Sequence, residues 1–260
     1  YYCTQFTICR GRRRELVFRI HTMRDHLPME RLFIFDVDGT LTPSRQKMDM
    51  EFQKYFMDFC EDNFVYLITG SDREKTLEQV GIDIYYMADR VYNCSGNHVF
   101  EQSKEVYRTD WKLPDNAAFF LLDKLHDSSF HRKTGNHLEE RPGTVNFSVV
   151  GRNCNLEERM MYREWDDHEN ERRVIAEAFN SKFPDIEALV AGETGIDIFP
   201  RGANKGQIWS DIRDYDVHFF GDKMEEGGND YPLAEKNRHG TNHHVKNWEH
   251  TRKILLEEYA

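Results

Sequence analysis

Leu32-Phe33-Ile34-Phe35-Asp36-Val37-Asp38-Gly39-Thr40-Leu41-Thr42 is the stretch on which the rest of the chain depends. Four consecutive apolar residues predict a buried parallel strand, and two carboxylates stand at its C-terminal end. Open α/β sheets gather their chemistry at that end. In extended backbone, residues two apart point the same way, so Asp36 and Asp38 can face one site while Gly39 lets the chain turn. Paired carboxylates repel and need a cation or a shared proton. Magnesium meets that need with one or two carboxylates, water and a phosphate oxygen. The plain alternative is a strand running into an ordinary Asp-Gly turn.

Length and charge narrow the choice. A chain of 260 residues can bury one large core or two modest ones. A formal charge of −11 argues against a nucleic-acid backbone as the main partner, though phosphates can still bind locally. No run of eighteen apolar residues exists, so no membrane span is expected. Cys3, Cys9, Cys60, Cys94 and Cys154 are scattered without a CxxC pair, which fits reduced thiols in a cytoplasmic protein. Residues 1–28 are rich in arginine and free of lysine, unlike the acidic remainder. They read as an atypical leader outside the fold, with the folded part beginning near Met29.

Beyond the opening strand, Met50 to Asp62 carries apolar residues at helical spacing, and Phe64 to Ile68 is a second buried strand. That strand stops at Thr69-Gly70-Ser71-Asp72, where a hydroxyl and backbone N–H groups can hold a phosphate, while Ser71 or Asp72 caps a helix over 73–80. Met87 to Cys94 continues the sheet, and Val99 to Tyr107 alternates as a hairpin does. From about 100 to 192 the βαβ rhythm lapses. A helix over 117–125, a strand over 144–150 and a long charged helix within 157–183 predict an inserted α+β domain. It holds the candidate anion binders Lys133, Arg141 and Arg152. The first style resumes at 193–260, with strands at 195–200 and 217–220 and Asn204-Lys205-Gly206 opening a helix. Residues 29–99 and 193–260 therefore form one α/β core with a parallel sheet, and 100–192 form a cap.

The strand ends together suit phosphoryl transfer, which needs its charge neutralised by metal, lysine and backbone donors. Asp36 can be the nucleophile and Asp38 the general acid/base. Asp36 and Asp222 with the Asp38 carbonyl make a magnesium shell of hard oxygens. Lys205 pairs with the nucleophile, and Asp230 orients Lys205 or a metal-bound water. His239, His243, His244 and His250 form a weaker metal candidate, since magnesium does not prefer imidazole.

DxDGT at 36–40, a hydroxyl after a strand, Lys205 at a helix start and the 221–230 run GDKxxxGGND resemble the haloacid dehalogenase superfamily. FDVDGTLTPSRQKM, GSDREKTLEQVG, GRNCNLEERMMYREWD, DIFPRGANKGQ and FFGDKMEEGGNDYPL resemble the eukaryotic-type phosphomannomutases across 29–260. The resemblance implies a Rossmannoid core with a type C2 cap and interconversion of mannose 6-phosphate and mannose 1-phosphate. It also implies magnesium, a sugar 1,6-bisphosphate activator and a homodimer through the cap. Asp36 is then the phosphoryl carrier and Asp38 the acid/base. Arg45, Arg141 and Arg152 hold the non-transferring phosphate, which suits their planar donors, and Asp197 contacts sugar hydroxyls.

Three places depart from that pattern. Lys133-Thr134-Gly135 stands where an arginine-glycine pair is usual, Gly195 where a serine is, and Ala203-Asn204 where a tryptophan-aspartate pair is. The first weakens a phosphate contact, and the other two touch sugar recognition or its support; all leave the phosphoryl machinery whole. A sugar-phosphate phosphatase is the nearest rival, because water can take the phosphoryl group instead of a sugar. A non-catalytic phosphosugar-binding protein has no need of a nucleophile beside an acid/base.

Overall fold

The computed structural model describes residues 29–259, so the expectation for the leader, and Cys3 and Cys9 with it, lies outside the described residues. The first part of the chain runs β1 (Arg31–Asp36), α1 (Met50–Asp62), β2 (Val65–Ile68), α2 (Arg73–Met87), β3 (Arg90–Asn93), β4 (His98–Glu101) and β5 (Lys104–Arg108). Phe33 and Phe35 are essentially unexposed, and burying such a side chain contributes about 1.5–3 kcal/mol. Asp49 caps α1 by accepting from the N–H groups of Glu51 and Phe52, which orients Phe52, Phe56 and Phe59 onto the sheet. Asp72 caps α2 through the Lys75 N–H. The helix expected to stop at Val80 breaks at Gly81, whose φ is +83°, and resumes to Met87.

The middle part contains α3 (Asp115–Asp127), β6 (Leu138–Arg141), β7 (Thr144–Phe147), α4 (Leu156–Glu169), α5 (Glu171–Lys182), β8 (Ile186–Ala191) and β9 (Gly195–Pro200). The long charged helix expected within 157–183 is two helices. Asn170 takes a left-handed conformation, with φ of 55°, between them, as asparagine tolerates better than most residues. The last part contains α6 (Trp209–Ile212), β10 (Asp216–Gly221), α7 (Tyr231–Lys236), β11 (Thr241–His244) and α8 (Trp248–Glu258).

Two sheets result. One has seven strands in the order β11-β10-β1-β2-β3-β4-β5, the other four in the order β6-β7-β9-β8. Strands β11 through β3 are parallel, and the β4–β5 hairpin adds antiparallel strands at one edge. Both expected boundaries of the cap shift toward the C-terminus. Residues 98–108 extend the core sheet through β3, and β9 pairs with β7 and β8 instead of returning to the core. Alternation within a strand is blind to its partner, so the sequence pattern suits either sheet. The second sheet has its own core, in which Phe147, Ile196 and Ile198 meet Tyr162 and Phe179 of the helices.

In the large sheet β1 lies between β10 and β2, with Phe35 opposite Phe220 and Asp36 opposite Ile68. The ends of β1, β2 and β10 therefore open side by side beneath the cap.

Candidate active site

At the end of β1, Asp36 is buried, and its Oδ1 accepts from Lys205 Nζ at 2.5 Å while Oδ2 accepts from Thr40 Oγ1 at 3.3 Å. Lys205 is itself buried and also donates to Asp230 Oδ1 at 2.7 Å. The Lys223 N–H holds the other Asp230 oxygen at 3.1 Å. Burial pushes the Asp36 carboxyl up, Lys205 opposes this, and Asp230 and Asp222 add to it. Burial works against the Lys205 ammonium, but Asp230 and Asp36 outweigh it and hold the lysine above its ordinary value. Asp36, Asp222 and Asp230 offer carboxylate oxygens that all lie within 4.8 Å of one another. Three carboxylates facing one ammonium form a donor set of hard oxygens with charge to spare, and magnesium fits it. Burial raises the Asp222 carboxyl as well.

The turn after β1 is built for close approach. Gly39 has φ of +81°, and a Cβ there would stand 2.5 Å from Asp222 Oδ2. Asp38, outside the acidic trio, has its Oδ1 held by the Arg45 N–H at 2.8 Å and Gln79 Nε2 at 2.9 Å, and Ser71 Oγ reaches its Oδ2 at 3.4 Å. Asp38 is thus oriented separately from Asp36, although only Val37 lies between them.

Above the strand ends, the cap presents cations. Arg141 Nη2 donates to Glu139 Oε2 at 2.9 Å, and Arg152 Nε forms an ion pair with the same oxygen at 2.5 Å. Arg141 Nε is a buried donor with no hydrogen-bond partner among the described residues. Arg45, in the loop after β1, lies against the β8–β9 turn, where a Cβ on Gly192 would come within 2.9 Å of its Nη2. Burial and the like charges of Arg159 and Arg152 lower the Arg45 guanidinium. Asp197 on β9 faces Asn146 on β7 and accepts from its Nδ2 at 2.6 Å. A cavity of about 460 Å³ runs from Asp36, Asp38 and Lys205 to Arg45, Arg141, Arg152 and Asp197, a volume suited to a small ligand.

Most expected residues meet here, but Thr69 does not. It is fully buried and its Oγ1 is taken by the Ser71 N–H at 3.0 Å, whereas Gly70 and Ser71 line the cavity. The strand end was legible to within two residues, and the register of the turn decides which hydroxyl faces inward. Lys133 is spent elsewhere, donating to the Leu125 and Ser128 carbonyls at the end of α3. Asn204 caps the turn at Lys205 by accepting from the Gly206 N–H at 3.0 Å. Gln79, Asn146 and Arg159 are additions. Gln79 had a signal, a polar residue in the buried stripe of α2, and Arg159 sits near the start of the charged α4 with Glu193 at 3.3 Å. The four histidines form no metal cluster among the described residues: His243 Nε2 shares the Tyr259 hydroxyl with His218 instead.

A family model for eukaryotic phosphomannomutase matches residues 52–260. The phosphomannomutase of Saccharomyces cerevisiae is 32% identical over 239 residues, covering 88% of this chain and 94% of that one. Among solved structures, an N-terminally truncated Plasmodium falciparum IMP-nucleotidase matches with a TM-score of 0.60 at 14% identity, over 88% of this chain and 70% of that one. A haloacid dehalogenase-like hydrolase from Bacteroides thetaiotaomicron matches with a TM-score of 0.52 at 11% identity, over 80% of this chain and 85% of that one. The two structural likenesses speak to the fold alone.

Proposed function

The chain belongs to the eukaryotic phosphomannomutase family, and from that premise we propose that it interconverts mannose 6-phosphate and mannose 1-phosphate through a phosphoryl group carried on Asp36. The observation that carries this reading is the two-ended cavity: a nucleophile, a lysine and an acid/base at the core end, and arginines at the cap end. A mutase must hold one phosphate while it moves another, and it must shield the carrier from water between the two transfers.

A hexose 1,6-bisphosphate primes the cycle by giving one phosphoryl group to Asp36. Lys205 favours the ionised form of Asp36 against its burial and aims it, with Asp230 fixing Lys205 from behind. Asp38 gives its proton to the departing sugar oxygen, and later takes the proton of the incoming sugar hydroxyl as that oxygen attacks. Gln79 and the Arg45 N–H hold Asp38 in line for both tasks. Gly70 and Ser71 supply donors to the transferring group. Arg45, Arg141 and Arg152 grip the stationary phosphate, Arg159 adds charge beside Arg45, and Asp197, oriented by Asn146, meets sugar hydroxyls. Asp36, Asp222 and Asp230, with the Asp38 carbonyl, would hold magnesium, which when bound neutralises charge on the transferring phosphoryl oxygens.

The remaining features of the reading are a homodimer through the cap, supported by the exposed Phe119 and Leu122 on α3, and a cytoplasmic location. No helix among the described residues is long and apolar enough to cross a membrane.

Mannose 1-phosphate incubated with the protein, magnesium and a trace of hexose 1,6-bisphosphate should yield mannose 6-phosphate. Free phosphate without mannose 6-phosphate would overturn the mutase in favour of a phosphatase. Asp36→Asn should lower turnover by more than about a thousandfold, because an amide cannot carry the phosphoryl group.

A further inference from the structure

Glu139, the second residue of β6, is a carboxylate among three cations. Two come from the cap, Arg141 at 2.9 Å and Arg152 at 2.5 Å. The third is Lys75, which belongs to α2 of the core and stands 3.9 Å away. Lys75 lines the same cavity as the two arginines and as Asp36 and Asp38. Its backbone is fixed, because its N–H is the donor that Asp72 accepts at the start of α2. Burial lowers the Lys75 ammonium and so does Arg141, while Glu139 and Asp72 oppose them.

Charge and distance separate two roles for this lysine. An ion pair at 3.9 Å with side chains 43% and 28% exposed adds little to stability, so holding the fold is a poor account of it. Three cations against one carboxylate leave an excess of two positive charges, the charge that a phosphate monoester dianion brings. Glu139 holds the guanidiniums where such an anion meets them, and the flexible lysine stem lets its ammonium move the remaining distance.

We propose that Lys75 is a substrate-binding residue, lent by the core to the phosphate site that the cap otherwise builds with Arg141 and Arg152. The assignment rests on the mutase reading for the identity of the sugar phosphate, though not for the anion itself. A phosphate held by all three cations touches both halves of the molecule, so its binding and the seating of the cap on the core become one event.

Lys75→Gln and Lys75→Arg in the full chain test this with mannose 1-phosphate, magnesium and activator. Losing one charge-assisted contact should raise KM about tenfold, leave kcat within about twofold, and flatten the rise of KM with salt. Lys75→Arg should restore most of the affinity, and both variants should melt with the wild type. An unchanged KM and salt dependence in Lys75→Gln would overturn the assignment. So would a KM rise that tracks a lowered melting temperature and is not rescued by arginine. Calorimetric titration with inorganic phosphate reads the site without turnover: equal affinity in wild type and Lys75→Gln overturns the assignment. A wild type that binds phosphate more tightly than the variant, yet shows no mutase turnover, supports the assignment and overturns the mutase reading instead.

Discussion

Taking away the Lys205 ammonium would leave Asp36 and Asp230 as buried carboxylates with no cation between them. Lys205→Met should therefore destabilise the fold by about 3–5 kcal/mol, the cost of stranding buried charge, and should be read by urea unfolding without added metal. A smaller effect is expected at Gln79, whose Nε2 donates to Asp38 and to Thr42 beside it. Gln79→Leu should lower kcat about tenfold with little change in KM, since Asp38 would lose one of the donors that aim it. Steady-state kinetics check that split. Asp36, Asp38, Lys205 and Asp222 were legible in the sequence because each stands where a buried strand or a helix begins or ends. The hold of Gln79 and Ser71 on Asp38 was not, because it depends on what lies opposite them across 41 and 33 residues of chain. Spacing does not report such contacts.

At the scale of the element, α8 is seated on the sheet partly through imidazoles. Tyr259, just past the helix, places its hydroxyl 2.8 Å from His218 Nδ1 and 2.9 Å from His243 Nε2. Burial lowers the His243 imidazole to about 4, and burial lowers His218 as well. Both are thus neutral in the fold and protonate more readily once it opens. Their contribution to stability is whole above pH 6.5 and drains away as the pH falls toward about 4. The urea midpoint should fall across that window, and His243→Gln should make the fall shallower. A variant with an undiminished slope would rule His243 out as its source. Elements were read well where one face is buried, as in α1, whose limits match the expectation residue for residue. The break at Asn170 escaped because apolar spacing carries across it, and only the left-handed turn reveals two helices.

For the whole molecule, the acidic trio predicts linkage between metal and fold. Magnesium at about a hundred times its dissociation constant should raise stability by roughly 2.7 kcal/mol, and Asp222→Ala should abolish that gain in a thermal melt. Chelation should stop turnover in the same preparation. The sequence pattern showed two halves of a core around an insertion, yet it misplaced both joints, because pairing between β9 and β7 is a fact about partners and not about either strand. Strand β1 carries a related consequence. It lies between β2, which follows it closely, and β10, which begins only at Asp216. A ribosome adding about 5–20 residues per second takes roughly 10–40 s to make the stretch between them. During that interval the nascent chain holds Leu32-Phe33-Ile34-Phe35 with one flank unpaired, so the segment that later carries the chemistry is first a sticky edge in need of shelter.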